Sequence, residues 1–249
     1  MVEFSGSGDP QRTVELLWGR TATPTKGPKP KLTVAEVTTG AVRLADAEGL
    51  SGLSIRRLAG QLGVSAMGLY TYIPTKAELI DLMVDRVCGE VLGSYAGVTG
   101  WRAGLELVAQ TNWQLFQRHP WLLGVSTGRA PLGPNVLAKY EQELTVIEGV
   151  GLTDLEMDSV LSLVLGHTEA TARRVADAAE AVRISGLTDQ QWWDRVAPVI
   201  GDVVDPDDFP IGTRVGTASG QAHQAASDVA VAFEFGLARI LDGVEMLLR

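Results

Sequence analysis

The side chains best suited to binding another molecule cluster at residues 54–76, in the stretch SIRRLAGQLGVSAMGLYTYIPTK. A guanidinium such as that of Arg56 can bond a guanine base at two points, and Met67 can pack on a thymine methyl group. Tyrosine hydroxyls, here those of Tyr70 and Tyr72, can reach phosphate oxygens. Such large side chains on an exposed helix face would need a partner, and their combined chemistry favours DNA.

The elements that must position these side chains form a helical hairpin. Ser54 is an N-cap for one helix, Gly63 supplies a turn, and Ser65 caps a second helix that runs to about Tyr72. This is the helix-turn-helix arrangement, in which the first helix crosses the phosphate backbone and the second enters the major groove. Plain helical bundles contain similar hairpins, so a fragment of an ordinary core stays an alternative.

Helical patterns continue on both sides of the hairpin. Residues 33–49 place apolar side chains on one face and stop at Gly49, a usual helix terminator. Pro74 breaks the second hairpin helix, and Thr75 with Glu78 predicts a capping box for a long fourth helix.

The rest of the chain lacks alternating strand patterns, so the sequence predicts an all-α fold with a three-helix N-terminal helix-turn-helix domain and a larger C-terminal helical domain. Helices are predicted at about 100–118, 133–150, 153–181 and 225–248. A less regular piece is predicted at 187–200, and the Pro- and Gly-punctuated stretch 201–220 is predicted to be a loop.

Residues 19–32, GRTATPTKGPKPKL, predict an extended segment because proline disfavours helix. Just before it, Leu16, Leu17 and Trp18 predict a short helix that docks on the next domain. The predicted divisions are an N-terminal arm or linker at 1–32, the helix-turn-helix domain at 33–80 and the C-terminal domain at 81–249.

Composition limits the class of protein. The chain has 249 residues, of which 45% are hydrophobic, so it can bury a substantial core. No apolar stretch approaches the ~20 residues of a membrane-spanning helix, and the N-terminus does not resemble a secretory signal. Cys88 is the only cysteine, which excludes an internal disulfide. We therefore expect a soluble cytoplasmic protein with no membrane partner.

Charge is distributed unevenly along a chain whose net charge is −9. Between Arg12 and Lys76 nine residues are basic and four acidic, whereas 11 basic and 20 acidic residues follow from Gly93 onward. Because salt screens electric fields beyond about 10 Å, local charge decides where a polyanion can approach. A basic front end on an acidic body is compatible with DNA binding.

Signatures of enzymes are missing from the sequence. His119, His167 and His223 are far apart, and neither a P-loop nor a dinucleotide fingerprint occurs. We expect no catalytic residue, no metal and no cofactor. A helical small-molecule-binding protein without DNA-regulatory activity stays the alternative function.

The stretch TGAVRLADAEGLSGLSIRRLAGQLGVSAMGLYTYIPTKAELIDLM resembles the DNA-binding domain of the tetracycline-repressor (TetR) family. More weakly, LGH at 165–167 and FEFGLARILDGVE near the end are similar to the C-terminal domain of the tetracycline-repressor subgroup. The ELLWG…KGPKPKL segment is similar to the arm of actinobacterial members. The resemblance implies that ten residues contact DNA: Ser54, Ile55, Arg56, Ala66, Met67, Gly68, Tyr70, Thr71, Tyr72 and Lys76.

The resemblance also implies a transcriptional regulator, most simply a homodimeric repressor that binds a palindromic DNA operator and is released by a small-molecule inducer. A ligand-dependent activator stays open. The C-terminal domain would then bind the ligand and dimerise through a four-helix bundle. Bundle residues are predicted to be Leu161, Leu165, Phe233, Leu237 and Leu241, although a place in the intramolecular core is the alternative for them.

Large amphipathic side chains between the two regions predict a ligand pocket, because such pockets are mostly apolar with few placed polar groups. The predicted pocket residues are Trp113, Phe116, Gln117, Tyr140, His167 and Trp193. In the tetracycline repressor itself the pocket holds a magnesium chelate. Here His167 is present, but Val175 stands where the resemblance expects an acid, so a magnesium-bound inducer is not predicted and the ligand stays open.

Three lysines of the N-terminal arm leave two alternatives. Lys26, Lys29 and Lys31 either add phosphate or minor-groove contacts, as basic arms do, or belong to a merely soluble linker.

Overall fold

The computed structural model describes residues 3–20, 31–223 and 229–248, and this part of the chain is helical almost throughout. The predicted all-α fold is confirmed. The eleven α-helices of the described residues are α1 (Pro10–Leu17), α2 (Val34–Gly52), α3 (Ile55–Gln61), α4 (Ala66–Tyr70), α5 (Lys76–Cys88), α6 (Trp101–Arg118), α7 (Pro134–Thr145), α8 (Asp154–Ser185), α9 (Asp189–Val203), α10 (Pro210–His223) and α11 (Val229–Glu245). Two short strands, β1 (Glu3–Phe4) and β2 (Val125–Ser126), pair in parallel, and 3₁₀ turns occupy Gly89–Val91 and Pro120–Gly124.

Local sequence signals build the reading domain, which consists of α2, α3 and α4. Thr33, Ser54 and Ser65 cap these helices by accepting hydrogen bonds from backbone N–H groups of the first turn. Gly63 has a φ of 67° and makes the turn between α3 and α4, in a left-handed conformation that favours glycine. Gly49, at a φ of 69°, has a non-helical backbone that interrupts α2 where the sequence predicts a helix end, and a short helical segment follows it to Gly52.

The reading domain and α5 share one apolar core, so α5 connects the reading domain to the remaining chain as a packed helix rather than as a linker. Its most deeply buried side chains include Leu44, Leu58, Leu69, Ile73, Leu79 and Met83. The predicted capping box at the start of α5 is wrong in both of its bonds. The Glu78 carboxylate accepts from the Thr75 hydroxyl and from Arg12, whereas the Thr75 hydroxyl accepts from the Ala77 N–H.

A second apolar core joins α6, α8 and α11, which together with α7 form the body of the protein. The sequence assigned Leu161, Phe233, Leu237 and Leu241 to a dimer interface, but each is at most 6% exposed within the single chain. Leu165 is half-buried against the same core. Of the two places predicted for these residues, the intramolecular core is the one they occupy in the single chain: α8 and α11 use this apolar stripe to pack on α6 and on each other. A dimer bundle stays a prediction.

The N-terminal residues pack against α5 and the body. Leu16 and Leu17 on α1 are buried, in agreement with the predicted docking of a short helix, while the half-exposed Trp18 donates its indole N–H to the carbonyl of Leu132 at 2.9 Å. Lys26 and Lys29 lie outside the described residues. The predicted domain boundaries stay predictions.

Residues 210–223 form a helix, so the loop predicted at 201–220 is wrong over half its length. Pro210 occupies the first turn of α10, where a missing N–H costs nothing. Gly212, Gly216 and Gly220 recur every fourth residue and face α9 across a gap of about 590 Å³.

None of the helices that the structure describes is long and apolar enough to cross a membrane.

Candidate functional site

One side of the reading domain presents the side chains predicted to bind DNA. Ser54, Arg56, Met67, Tyr70 and Thr71 are exposed, Met67 to 75%. We call these five residues the reading face. Leu69 and Ile73 of the same segment are buried in the core.

The other five predicted DNA contacts are half-buried and partly engaged within the chain. Ile55, Ala66 and Tyr72 pack against the reading-domain core. The Tyr72 hydroxyl accepts a hydrogen bond from the Leu32 N–H at 3.3 Å, so this tyrosine also anchors the chain entering α2. Gly68 leaves α4 without a bulky side chain on its outer surface.

Lys76 lies where α5 leaves the reading domain, and it is paired with Glu3 of β1 at 2.7 Å. A lysine ammonium has three donors, so this ion pair leaves donors for a phosphate oxygen. Next to the reading face, Arg57 is held by Glu48, with Nη2 2.7 Å from Oε1.

The body contains a cavity of about 440 Å³ between α6, the turn Pro120–Gly124 and the second half of α8. Its walls are mostly apolar, with two aromatic rings from α6 on one side and small side chains from α8 on the other. The lining residues are Trp113, Phe116, Gln117, Pro120, Leu123, Ala172, Val175, Ala176, Ala179, Glu180 and Arg183. Among the polar groups, Glu180 and Arg183 form an ion pair with each other at 2.6 Å, which leaves the Gln117 amide as the uncharged polar group.

Three of the six predicted pocket residues, Trp113, Phe116 and Gln117, meet at this cavity. The other three, Tyr140, His167 and Trp193, do not line this cavity. His167 stacks on Phe233, with ring centroids 5.6 Å apart, and its Nε2 lies 3.0 Å from the Phe233 carbonyl, so it joins α8 to α11.

Tyr140 and Trp193 lie on other surfaces. The Tyr140 hydroxyl on α7 donates to Asp158 at 2.8 Å, a hydrogen bond that raises the pKa of this tyrosine. Trp193 lines the separate gap between α9 and α10. A pattern of apolar and aromatic residues could not separate these sites, because it does not show which surface each ring shares with other helices.

A histidine that the sequence did not single out as a coupling residue links the body to the reading domain. His119 ends α6 and is buried; its Nδ1 lies 2.7 Å from Asp46 of α2, and its Nε2 lies 3.1 Å from Glu90. The Trp121 indole donates to the same Asp46 carboxylate at 2.8 Å. Burial alone raises the pKa of Glu90, but hydrogen bonds from Arg118 and His119 hold it below its usual range.

The position of this link decides its importance. Gln117 and Pro120, which lie on either side of His119 in the sequence, both line the cavity. A shift of the cavity wall would therefore also displace His119, which bonds Asp46 in the reading domain. No sequence signal reveals the link, because 73 residues separate Asp46 from His119.

No group of three or more His, Cys, Asp or Glu side chains that could hold a metal occurs among the described residues. Val175, in place of the acid that a magnesium chelate would require, lines the apolar cavity.

Two family models match the chain over most of its length. Residues 37–83 match the model described as "Bacterial regulatory proteins, tetR family", and residues 96–248 match "Tetracyclin repressor-like, C-terminal domain". This chain belongs to the TetR family.

Relatives within the TetR family are transcriptional repressors and regulators. The HTH-type transcriptional repressor DrrR1 of Streptomyces coeruleorubidus is 43% identical over 248 residues, which cover 99% of this chain and 90% of DrrR1. Apo ActR of Streptomyces coelicolor superposes with a TM-score of 0.72 at 25% identity, covering 89% of this chain and 98% of ActR. ActR has also been solved in complex with actinorhodin; that structure has a TM-score of 0.70 at 25% identity, over 86% of this chain and 95% of ActR.

The predicted function, a ligand-responsive DNA-binding transcriptional repressor, is thereby confirmed at the level of the family. The residues that match the first family model, 37–83, include the whole reading face.

Replacing His119 with alanine should lower the free energy of unfolding by about 1–3 kcal/mol, because the carboxylates of Asp46 and Glu90 then lose a buried partner. Arg118→Ala, which removes a half-exposed ion pair to the same Glu90, should cost less than about 1 kcal/mol. Urea unfolding of both variants measures the difference. Equal losses would show that the His119 link contributes no more than a surface ion pair.

Proposed function

We propose that this TetR-family protein is a homodimeric repressor that binds a palindromic operator and leaves it when a small molecule fills the cavity beside Trp113. The observation that carries the proposal is the contact between cavity and reading domain. The turn that lines the cavity with Pro120 also places His119 and Trp121 on Asp46 of α2. A ligand that binds one conformation of this turn more tightly shifts the position of the reading domain.

The reading face supplies the chemistry of operator recognition. Arg56 can bond the O6 and N7 atoms of guanine, and Met67 can cover a thymine methyl group. The hydroxyls of Ser54, Tyr70 and Thr71 suit phosphate oxygens, which fix the register on the duplex without reading sequence. Lys76 stays a proposed phosphate contact.

A palindromic operator requires two reading domains at a fixed distance, and the outer faces of α8 and α11 provide a surface for a second copy. Large apolar side chains stay exposed there although the inner stripes of both helices are buried: Leu155 is 81%, Leu163 53% and Phe235 64% exposed. Arg239 lies over the Phe235 ring, 5.5 Å from its centroid. Pairing these faces across a two-fold axis would form a four-helix bundle.

The cavity favours a mostly apolar, aromatic ligand with few polar groups. Trp113 and Phe116 can stack on a flat ring system, the small side chains of Ala172 and Ala176 leave room for it, and Gln117 can orient one polar group. Since ActR is known in complex with actinorhodin, this compound is the first ligand to test.

Sites selected from random duplex DNA at physiological salt should contain a palindrome with half-sites about one helical turn apart. Arg56→Ala should then weaken binding to the selected duplex by about 1–3 kcal/mol and relax selection at a guanine position. Arg57→Ala is the matched control, because the Arg57 side chain is held by Glu48. This variant should lose affinity for the duplex without relaxed selection at any base position. A loss of less than about twofold for Arg56→Ala would contradict its role as a base contact.

Phe235→Asp should convert the dimer into monomers in sedimentation velocity at micromolar concentration, because it places a charge in the proposed interface. Leu241→Ala removes a fully buried side chain and should lower the free energy of unfolding by about 2–5 kcal/mol while the protein stays dimeric. A wild-type monomer at this concentration would contradict the dimer proposal.

Ala176→Trp should fill the cavity and raise the dissociation constant for actinorhodin at least about tenfold, measured by isothermal titration calorimetry. Ala181→Trp, on an exposed part of the same helix outside the cavity, is the control and should bind like wild type. Equal affinities of wild type and Ala176→Trp would place the ligand elsewhere.

A further inference from the structure

The connecting helix α5 carries three carboxylates on one side, and none of them faces water. Glu78, Asp81 and Asp85 are spaced three and four residues apart, which aligns them along one face of a helix, and they are at most 5% exposed. Buried carboxylates require donors to replace the lost water. What supplies these donors differs along the helix.

Residues 3–18, which we call the N-terminal strap, supply donors to the half of α5 nearest the reading domain. The Arg12 guanidinium donates to Glu78 Oε1 from Nη2 at 2.7 Å and from Nε at 3.0 Å. The Ser5 hydroxyl donates to Asp81 Oδ1 at 2.6 Å, and the Gly6 N–H reaches the same carboxylate at 3.1 Å. Asp85, in contrast, accepts from the start of α7, including the Asn135 N–H at 3.0 Å.

The same strap is fastened to the body. Its strand β1 pairs with β2, which directly follows the cavity-lining turn Pro120–Gly124, and the Ser5 N–H donates to the Ser126 carbonyl at 3.0 Å. At the other end of the strap, Trp18 bonds the carbonyl of Leu132. Ser5 thus connects two parts of the protein: its backbone N–H bonds the body at Ser126, and its side chain bonds α5 at Asp81.

This double attachment restricts how α5 can move. If the reading-domain end of α5 shifts relative to β2, either the Asp81 hydrogen bonds or the bonds between β1 and β2 must break, since neighbouring strap residues make both. Bonds that exist in one conformation alone stabilise that conformation.

We propose that the N-terminal strap is a latch that holds α5 in the ligand-free, DNA-binding conformation, with Ser5 and Arg12 as its positioning residues. The inference rests on the proposed function, because it assigns to α5 the movement that releases the operator. It extends that function to residues outside both family matches, which begin at residue 37.

The charge state of the latch agrees with this role. Burial alone would raise the pKa of Glu78, yet hydrogen bonds from Thr75 and Arg12 hold it below its usual range. Burial raises the pKa of Asp81, and the Ser5 and Gly6 donors act against this effect. Loss of the strap donors therefore leaves α5 with buried carboxylates that lack hydrogen-bond donors, which destabilises the present conformation.

The test measures the dissociation constants of strap variants for the duplex selected by the wild-type protein, using fluorescence anisotropy. Arg12→Met should raise the dissociation constant at least about fivefold, the lower end of typical coupling between sites. In a Glu78→Gln background the same change should raise the dissociation constant less than about twofold, because residue 78 then carries no charge that needs Arg12. Equal costs in both backgrounds would overturn the latch.

Two matched controls exclude other causes. Arg20→Met removes the same charge from an exposed position beyond the strap, so an equal loss would mean that these cations act directly on DNA. Ser5→Ala should weaken operator binding, whereas Ser7→Ala should not, because the Ser7 hydroxyl bonds only the Phe4 carbonyl of the strap itself. Equal behaviour of the two serine variants would also overturn the proposal.

Amide hydrogen exchange separates failure of the latch from failure of the proposed function. If the wild-type protein selects no duplex, the proposed operator binding fails, but the latch still predicts faster exchange of the α5 amides in Arg12→Met than in Arg20→Met. Unchanged exchange in Arg12→Met would overturn the latch irrespective of DNA binding.

Discussion

A carboxylate leaves water only where hydrogen-bond donors replace the solvent, and the connecting helix α5 imposes this condition three times along one side. Glu78 and Asp81 require the N-terminal residues to fold back over α5, and Asp85 requires the first N–H groups of α7 to point at it. There is no space for a side chain at Gly133, which packs on Asp85. The placement of the N-terminal residues and of α7 thus follows from satisfying buried charge on one helix.

The reading domain meets the body at two places with different chemistry. One is the apolar core shared with α5, which is tolerant of direction; the other is the hydrogen-bonded contact of His119 and Trp121 with Asp46, which depends on direction and distance. Coupling between two distant sites of a protein typically amounts to about 1–3 kcal/mol. The free energy of a few directional hydrogen bonds at the end of α6 is of that size. These bonds alone are therefore sufficient to couple the cavity to the reading domain, and a longer series of contacts is not required.

The parts of the fold that local chemistry determines could be predicted from the sequence. Ser54, Gly63 and Ser65 act on residues within one turn of themselves, so the helix-turn-helix was predictable from its caps and its glycine. Arg12, which bonds Glu78, and His119, which bonds Asp46, lie tens of residues from their partners and follow no periodic pattern. The inner leucines of α8 and α11 illustrate another limit, since a core and a dimer interface select the same side chains. Glycine and proline misled the interpretation of α10, because Pro210 begins a helix and its glycines recur at helical spacing.

The parallel pairing of β1 with β2 has a consequence for the order in which the molecule assembles. Glu3 pairs with Val125, so β1 has no strand to pair with until well over a hundred further residues have left the ribosome. The helices of the reading domain and α5 are complete long before that point and can form from contacts close in sequence, whereas closing so long a loop is slow. During synthesis the strap can therefore meet Glu78 and Asp81 before its pairing with β2 is possible, so a segment translated early completes its contacts late.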